Sequence, residues 1–417
     1  MDTNKRLTYL SYFIFIFLGC AFISQGILII YMSTTYGISL AHVGYLFFIA
    51  AAMQAVATYF NGYFLDKFNL KTEVIVSLLA MIISFFMIIS GSFTLLIIGL
   101  IPYGLSCGLL ISIPSYLIIS MYPESKFTKL NILNFFFSLG GIAGPLILGQ
   151  LLGLHLPWQL IVVLSCILIV LIALFAYKIP FSYIQSNINE ENIPHEKSKW
   201  HLSIYLIALA ILFYVLSEVT FSTWIVSYLK IKYNFSISTA SLGLTLYWLC
   251  ITFGRFAADK IGKYMKIYQF ILGSTTIAFI AYFMVFFFKS PTVLFIMIAL
   301  MGMGYAGLYA SILSYGLDQL KFNDPKLMSF LVLAGTIGNI LALPLSSFFV
   351  NKFSILTALF FGFLILGLVI AFIYATLKDK NNPAIENRKH RIWGAISRRS
   401  KFVRHWRHRS IVKSGTD

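Results

Sequence analysis

Apolar segments long enough to cross a bilayer recur from one end of this sequence to the other, and that recurrence limits the possible folds more than any motif does. A spanning helix needs about 20 residues to cross about 30 Å of hydrocarbon. The pattern predicts twelve such segments, at 7–31, 43–65, 73–91, 94–121, 128–152, 158–177, 202–229, 238–258, 267–288, 292–316, 327–349 and 354–377. With 59% hydrophobic and 11% charged residues, and a mean hydropathy of +0.87, a soluble domain is excluded. In lipid every backbone polar group must be satisfied within the chain, and runs of this length do so as α-helices. The expected class is therefore an all-α membrane protein with twelve transmembrane helices.

The first apolar run follows Met1-Asp2-Thr3-Asn4-Lys5-Arg6 and reaches Tyr31. That exceeds the apolar core of a signal peptide, about 7–15 residues, so it is expected to stay as the first helix. Connections are short except between Lys178 and Trp200, a polar stretch with Asn187, Asn189, Glu190, Glu191 and Pro194. The chain thus divides into a six-helix bundle at 1–177, a linker at 178–201, a second six-helix bundle at 202–377 and a basic tail at 378–417.

Lysine and arginine set the expected orientation, because cytoplasmic loops are enriched in them. With the N-terminus inside, fifteen of the 31 basic residues lie on inner segments, twelve lie in the tail, and only Lys230, Lys232, Lys289 and Lys352 face outward. Both termini are expected in the cytoplasm. In the tail, Arg398, Arg399, Lys401, Arg404, Arg407 and Arg409 cluster with Trp393, Phe402 and Trp406. Such a run beside a membrane attracts anionic lipid headgroups; a solvated tail without a task is the alternative, and nucleic acid is not the expected partner. Cys20, Cys107, Cys166 and Cys250 fall inside apolar spans without metal-ligand spacing and read as helix-packing residues.

The two halves repeat one another. Gly108-Leu109, Ser112-Ile113 and Ser115-Tyr116 return as Gly307-Leu308, Ser311-Ile312 and Ser314-Tyr315; Gly141 to Gly144 returns as Gly335 to Gly338; Asp66-Lys67 returns as Asp259-Lys260. Because six spans separate the copies, both enter the membrane with the same orientation. Parallel repeats of this kind place a site between the halves at mid-membrane depth.

Glu218 lies near the middle of the 202–229 segment, the one acid that hydropathy places deep in hydrocarbon. A charged group there costs about 2.5–3.5 kcal/mol on insertion scales, so an intramembrane acid is a functional candidate by default. Tyr214 and Ser222, four residues to either side, share its helical face and offer hydroxyl neighbours. The functional reading is proton coupling or substrate contact; the alternative is a protonated carboxyl satisfied by a neighbouring helix. Further polar groups at depth extend the candidate pathway: Gln25, Ser112, Ser115, Tyr116, Asn134, Tyr309, Ser311 and Asn339. Amides and hydroxyls among aromatic neighbours suit a neutral hydrogen-bonding solute such as a sugar, although each taken singly also serves helix–helix bonding.

Between the second and third spans runs Gly62-Tyr63-Phe64-Leu65-Asp66-Lys67-Phe68-Asn69-Leu70-Lys71, and between the eighth and ninth Arg255 to Lys263 with Asp259-Lys260. These resemble the signature loops of the major facilitator superfamily, with Asn69 and Arg255 standing where the family has glycine. The resemblance implies gating roles for Gly62, Asp66, Lys67, Lys71, Arg255, Asp259 and Lys260. The stretches from Gly108 to Gly141 and from Asp324 to Gly338 look like TsgA-type permeases, and the Glu218 helix looks like the fucose permease branch. Fucose permeases carry carboxylates in the first and fourth helices, where Gly26 and Ile111 stand here, so their proton chemistry does not carry over.

The expected protein is a secondary transporter of a small polar solute, working by alternating access, proton-coupled through Glu218, monomeric, and set in a bacterial inner membrane. Efflux of an amphipathic compound, or a non-transporting sensor or scaffold, are the alternatives. No nucleotide loop, serine elbow or His/Glu metal cluster stands in the spans, so neither an enzyme nor a cofactor is expected.

Overall fold

The computed structural model describes residues 3–67, 69–122, 125–181, 200–261, 264–320 and 325–379. Most of the expected linker and tail lies outside the described residues. So do the side-chain surroundings of Gly62, Asp66, Lys67, Asp259 and Lys260, five of the positions expected to gate.

The described residues form thirteen helices and no strand: α1 Thr3–Tyr36, α2 Leu40–Lys67, α3 Leu70–Ile89, α4 Phe93–Met121, α5 Lys126–Gly153, α6 Trp158–Tyr177, α7 Leu202–Tyr233, α8 Ile237–Ile261, α9 Ile267–Val285, α10 Pro291–Tyr305, α11 Leu308–Leu317, α12 Pro325–Lys352 and α13 Ile355–Thr376. Twelve spans are apolar enough to cross a membrane. Several run a turn or two beyond the hydropathy limits, because polar end residues still close helical hydrogen bonds once they reach water. Local chemistry marks the starts: Ser92 accepts from the Leu95 N–H, Asn69 from that of Lys71, and Ser354 closes a capping box with Thr357.

The thirteenth helix comes from a break in the tenth span. α10 ends at Tyr305, Ala306 is extended, and Gly307 sits at φ 72° in the left-handed region, opening α11. In the sequence Gly307 stands out as the repeat counterpart of Gly108; the structure gives it a conformation that a side chain resists. Its repeat partner Gly108 lies inside the unbroken α4.

Packing follows the duplication. In the first half α1 lies on α5, α2 on α4, and α3 on α4 and α6; in the second, α7 lies on α12, α8 on α10, and α9 on α10 and α13. The halves meet through α5 with α8, α2 with α12, and α1 with α7, pairings related by an approximate two-fold axis along the membrane normal. The tightest contacts between halves lie at the end of the molecule opposite α1's first residue. A Cβ on Gly26 would come within 2.5 Å of the Thr223 carbonyl oxygen, one on Gly44 within 2.0 Å of Ser347 Oγ, and one on Gly149 within 2.3 Å of Ser241 Cβ. At the same end the Trp224 indole donates to Ser346 Oγ at 2.8 Å, tying α7 to α12. Small residues let the backbones of the two bundles approach closely there.

Candidate functional site

Midway along the spans a partly open cavity of about 240 Å³ lies between the halves. The first half contributes Gln25 and Gly26 of α1, Phe47 and Gln54 of α2, Tyr103, Cys107 and Ile111 of α4, and Phe137 of α5; the second contributes Glu218 and Ser222 of α7, Trp248 of α8 and Asn339 of α12. The volume lies below the range of about 300–1,000 Å³ usual for drug-sized ligands. Gly26 and Ile111 both line it, and Glu218 is the one carboxylate in the lining.

Glu218 is half-buried, and its Oε1 accepts the Tyr214 hydroxyl at 3.1 Å. Tyr214 is itself 2% exposed and stands behind the carboxyl, outside the lining. Its hydroxyl is also 3.4 Å from the Tyr305 carbonyl oxygen, which is available because α10 ends at that residue. Ser222, expected to serve the carboxyl from the other side, instead donates to the backbone carbonyl of Glu218 at 2.9 Å. The α-helical spacing puts both hydroxyls on the right face, but a serine side chain reaches its own i−4 carbonyl more readily than the next carboxyl. Arg255 Nη1 of α8 donates to Ser138 Oγ of α5 at 2.8 Å, crossing between the halves. Across the cavity the Gln25 amide donates to the Tyr103 hydroxyl at 3.1 Å.

Of the residues expected in the pathway, Gln25, Glu218, Ser222 and Asn339 are brought together around this cavity. Ser112, Ser115, Tyr116, Asn134, Tyr309 and Ser311 lie outside its lining. Ser112 and Ser115 bond to the Gly108 and Ile111 carbonyls of their own helix, each at 2.8 Å. Tyr309 packs beside Tyr214, with ring centroids 6.4 Å apart. Lys71 lies over the Tyr177 ring at 5.0 Å, within one half.

Several lining residues escape the sequence reading. Gln54 is a mid-span amide and was open to notice; Tyr103 and Trp248 are aromatic residues in apolar helices, with nothing local to say which way they face. Glu73 escapes it too. In the first turn of α3, where hydropathy begins the third span, it is 7% exposed, and neither carboxylate oxygen has a hydrogen-bond partner among the described residues.

Comparison with known proteins bears on the whole chain. The family model described as Major Facilitator Superfamily matches residues 10–323. A TsgA homolog of Buchnera aphidicola subsp. Baizongia pistaciae is 24% identical over 381 residues, covering 90% of this chain and 97% of that protein. One from Yersinia pestis (strain Pestoides F) is 23% identical over 345 residues, covering 82% and 87%. Among solved structures, a mutant of the nucleoside transporter NupG aligns with TM-score 0.69 at 15% identity, covering 90% of this chain and 98% of that one. A bacterial homolog of the human lysosomal transporter Spinster, inward-facing and occupied, aligns with TM-score 0.65 at 16% identity, covering 89% and 95%. At such identities the solved structures speak for the fold.

Proposed function

This chain belongs to the major facilitator superfamily and is a membrane transporter, and from that premise we propose that it carries a small neutral hydrogen-bonding solute, a sugar or related compound, coupled to a proton on Glu218. The observation that carries the reading is the cavity between the halves, with a single carboxylate in its lining. Amides on both sides of that cavity supply donors and acceptors for a neutral solute. The carboxylate supplies a proton site that the solute can sense.

Tyr214 links that proton to the fold. Its hydroxyl has one proton and two acceptors, the carboxylate and the Tyr305 carbonyl at the α10–α11 break. With Glu218 ionised the hydroxyl donates to it; with Glu218 protonated the hydroxyl is released to the carbonyl. Loading a proton is thereby coupled to the broken tenth span. A ligand or proton shifts a conformational equilibrium only by its differential interaction with the two states, and this exchange supplies one.

The basic inner segments support termini in the cytoplasm, and bacterial relatives support an inner membrane. In that orientation the closely packed end faces outward. The division at 178–201, a monomeric state, contact of the basic tail with anionic headgroups, and gating by Gly62, Asp66, Lys67, Lys71, Arg255, Asp259 and Lys260 belong to the same proposal. The Arg255 to Ser138 bond supports the Arg255 part, since it must break if α5 and α8 part at that level. The aromatic lining of Phe22, Phe47, Phe137 and Trp248 favours a second reading, efflux of an amphipathic compound.

The test is solute-induced proton flux in proteoliposomes for wild type and Glu218→Gln, over sugars, nucleosides and lipophilic cations. Proton flux lost in the variant while solute exchange continues supports coupling at Glu218. Equal proton flux in both removes Glu218 from that role. A response to lipophilic cations alone selects efflux.

A further inference from the structure

We propose that Gln54 of α2 and Asn339 of α12 set the solute specificity by gripping one solute from opposite halves. Only a solute with a donor–acceptor pair on each of two opposite edges then ties the halves together and is carried. The proposal rests on the reading of the cavity as the transport site.

Three primary amides line the cavity, and they differ in what holds them. Gln25 donates to the Tyr103 hydroxyl and is anchored within the first half. Gln54 and Asn339 are half-buried and make no side-chain hydrogen bond among the described residues, either to each other or to a neighbouring helix. Neither stands among the buried polar atoms shut away without a partner, so both amide heads are open to the space the two residues line. An amide presents an acceptor and a donor side by side, which matches two adjacent hydroxyls or one lactam edge. While the cavity is partly open, water can meet both groups. Once it closes, a solute must replace that water at both amides or leave one of them buried and unpaired, which is costly. A solute with a single suitable edge therefore binds and resists closure.

The two amides also match in depth. α2 and α12 pack together across the halves and run antiparallel, since Gly44 near the start of α2 meets Ser347 near the end of α12. Gln54 lies ten residues after Gly44, and Asn339 eight before Ser347. At about 1.5 Å per residue that puts them about 15 Å and about 12 Å inward of the crossing. At about 100° per residue, each also stays within about 80° of its crossing residue around its own helix, on the side turned to the other half. A closure that brings α2 and α12 together at this depth takes place around whatever lies between the two amides. A solute held by both interacts more strongly with the closed state than with the open one, and that difference is what shifts the equilibrium.

The experiment uses full-length protein, in nanodiscs for equilibrium binding and in proteoliposomes for exchange. The probes are fucose, uridine and the dideoxy analogue of each, which lacks one adjacent hydroxyl pair. The expected result is that wild type exchanges fucose or uridine, binds the matching analogue about tenfold more weakly and, even at saturation, exchanges it about tenfold more slowly. Gln54→Leu and Asn339→Leu each lower saturated exchange of the parent solute about tenfold, and the double variant lowers it no further. One of the two single variants, the one without the amide that grips the missing pair, binds parent and analogue alike. An analogue exchanged at saturation as fast as its parent, losses that multiply in the double variant, or single variants that exchange the parent at the wild-type rate overturn the proposal and leave the transport reading standing. Exchange of none of the probes by wild type removes the proposed solute class and this inference together. The comparison of parent and analogue in wild type decides the matter even if the variants fold poorly.

Discussion

One proton on the Tyr214 hydroxyl is shared between acceptors at 3.1 Å and 3.4 Å, so neither bond is at its best length and the balance is set by the charge on Glu218. Tyr214→Phe keeps the ring packing and removes the shared proton. Concentrative, proton-driven uptake is expected to fall about tenfold relative to wild type, whereas counterflow without a gradient stays within about twofold. Parallel measurement of the two modes checks this; equal loss in both would mean that Tyr214 supports binding and not coupling. The neighbouring contact between α7 and α12 yields a stability prediction. Ser346→Ala leaves the buried Trp224 N–H without its acceptor, at a cost of about 1–3 kcal/mol, seen as a lower thermal midpoint in detergent. At this scale the site was half legible. Glu218 stood out because a carboxylate in hydrocarbon is expensive wherever its helix turns, and Gln25 and Asn339 are amides at mid-span. Trp248 and Tyr103 gave no such signal, since an aromatic ring suits lipid, core and cavity alike.

Along single elements, the tenth span departs from its repeat partner. α4 runs unbroken through Pro102 and Pro114, while α10 stops at Tyr305 although no proline stands within it after Pro291. The cause is Gly307 at φ 72°, with Ala258 of α8 2.8 Å from where its Cβ would be. Gly307→Ala meets both the left-handed penalty, about 1–2 kcal/mol, and that contact. It is expected to lower the thermal midpoint and to slow proton-driven uptake more than counterflow, because the Tyr305 carbonyl moves from Tyr214. Unchanged melting and uptake would show that the break tolerates a side chain. The sequence match of Gly108 and Gly307 shows the duplication and hides this divergence, because the φ of a glycine is decided by the contacts around it.

Across the whole molecule, Gly26, Gly44 and Gly149 let the two halves close at one end, and alternating access requires that this closure be undone. Gly44→Val places a branched side chain where Ser347 Oγ already sits 2.0 Å from a Cβ position. The variant is expected to favour the state open at that end. In a background lacking Cys20, Cys107, Cys166 and Cys250, a Ser222→Cys reporter should then react faster with an impermeant maleimide added outside. Slower or unchanged labelling would count against this end as the outer gate.

The sequence by itself determined the number of spans, the duplication and the presence of a costly acid at mid-depth, because length, hydropathy and charge are properties a segment carries alone. Only the tertiary structure decided which side chains meet around the cavity, that Ser222 turns to its own backbone while Tyr214 serves Glu218, and that the tenth span breaks. The physical reason is that these helices are apolar all round, one side against lipid and the other against protein. Without a contrast of polarity around the helix, periodicity carries no record of which face looks inward. That choice is made by packing between residues more than a hundred positions apart.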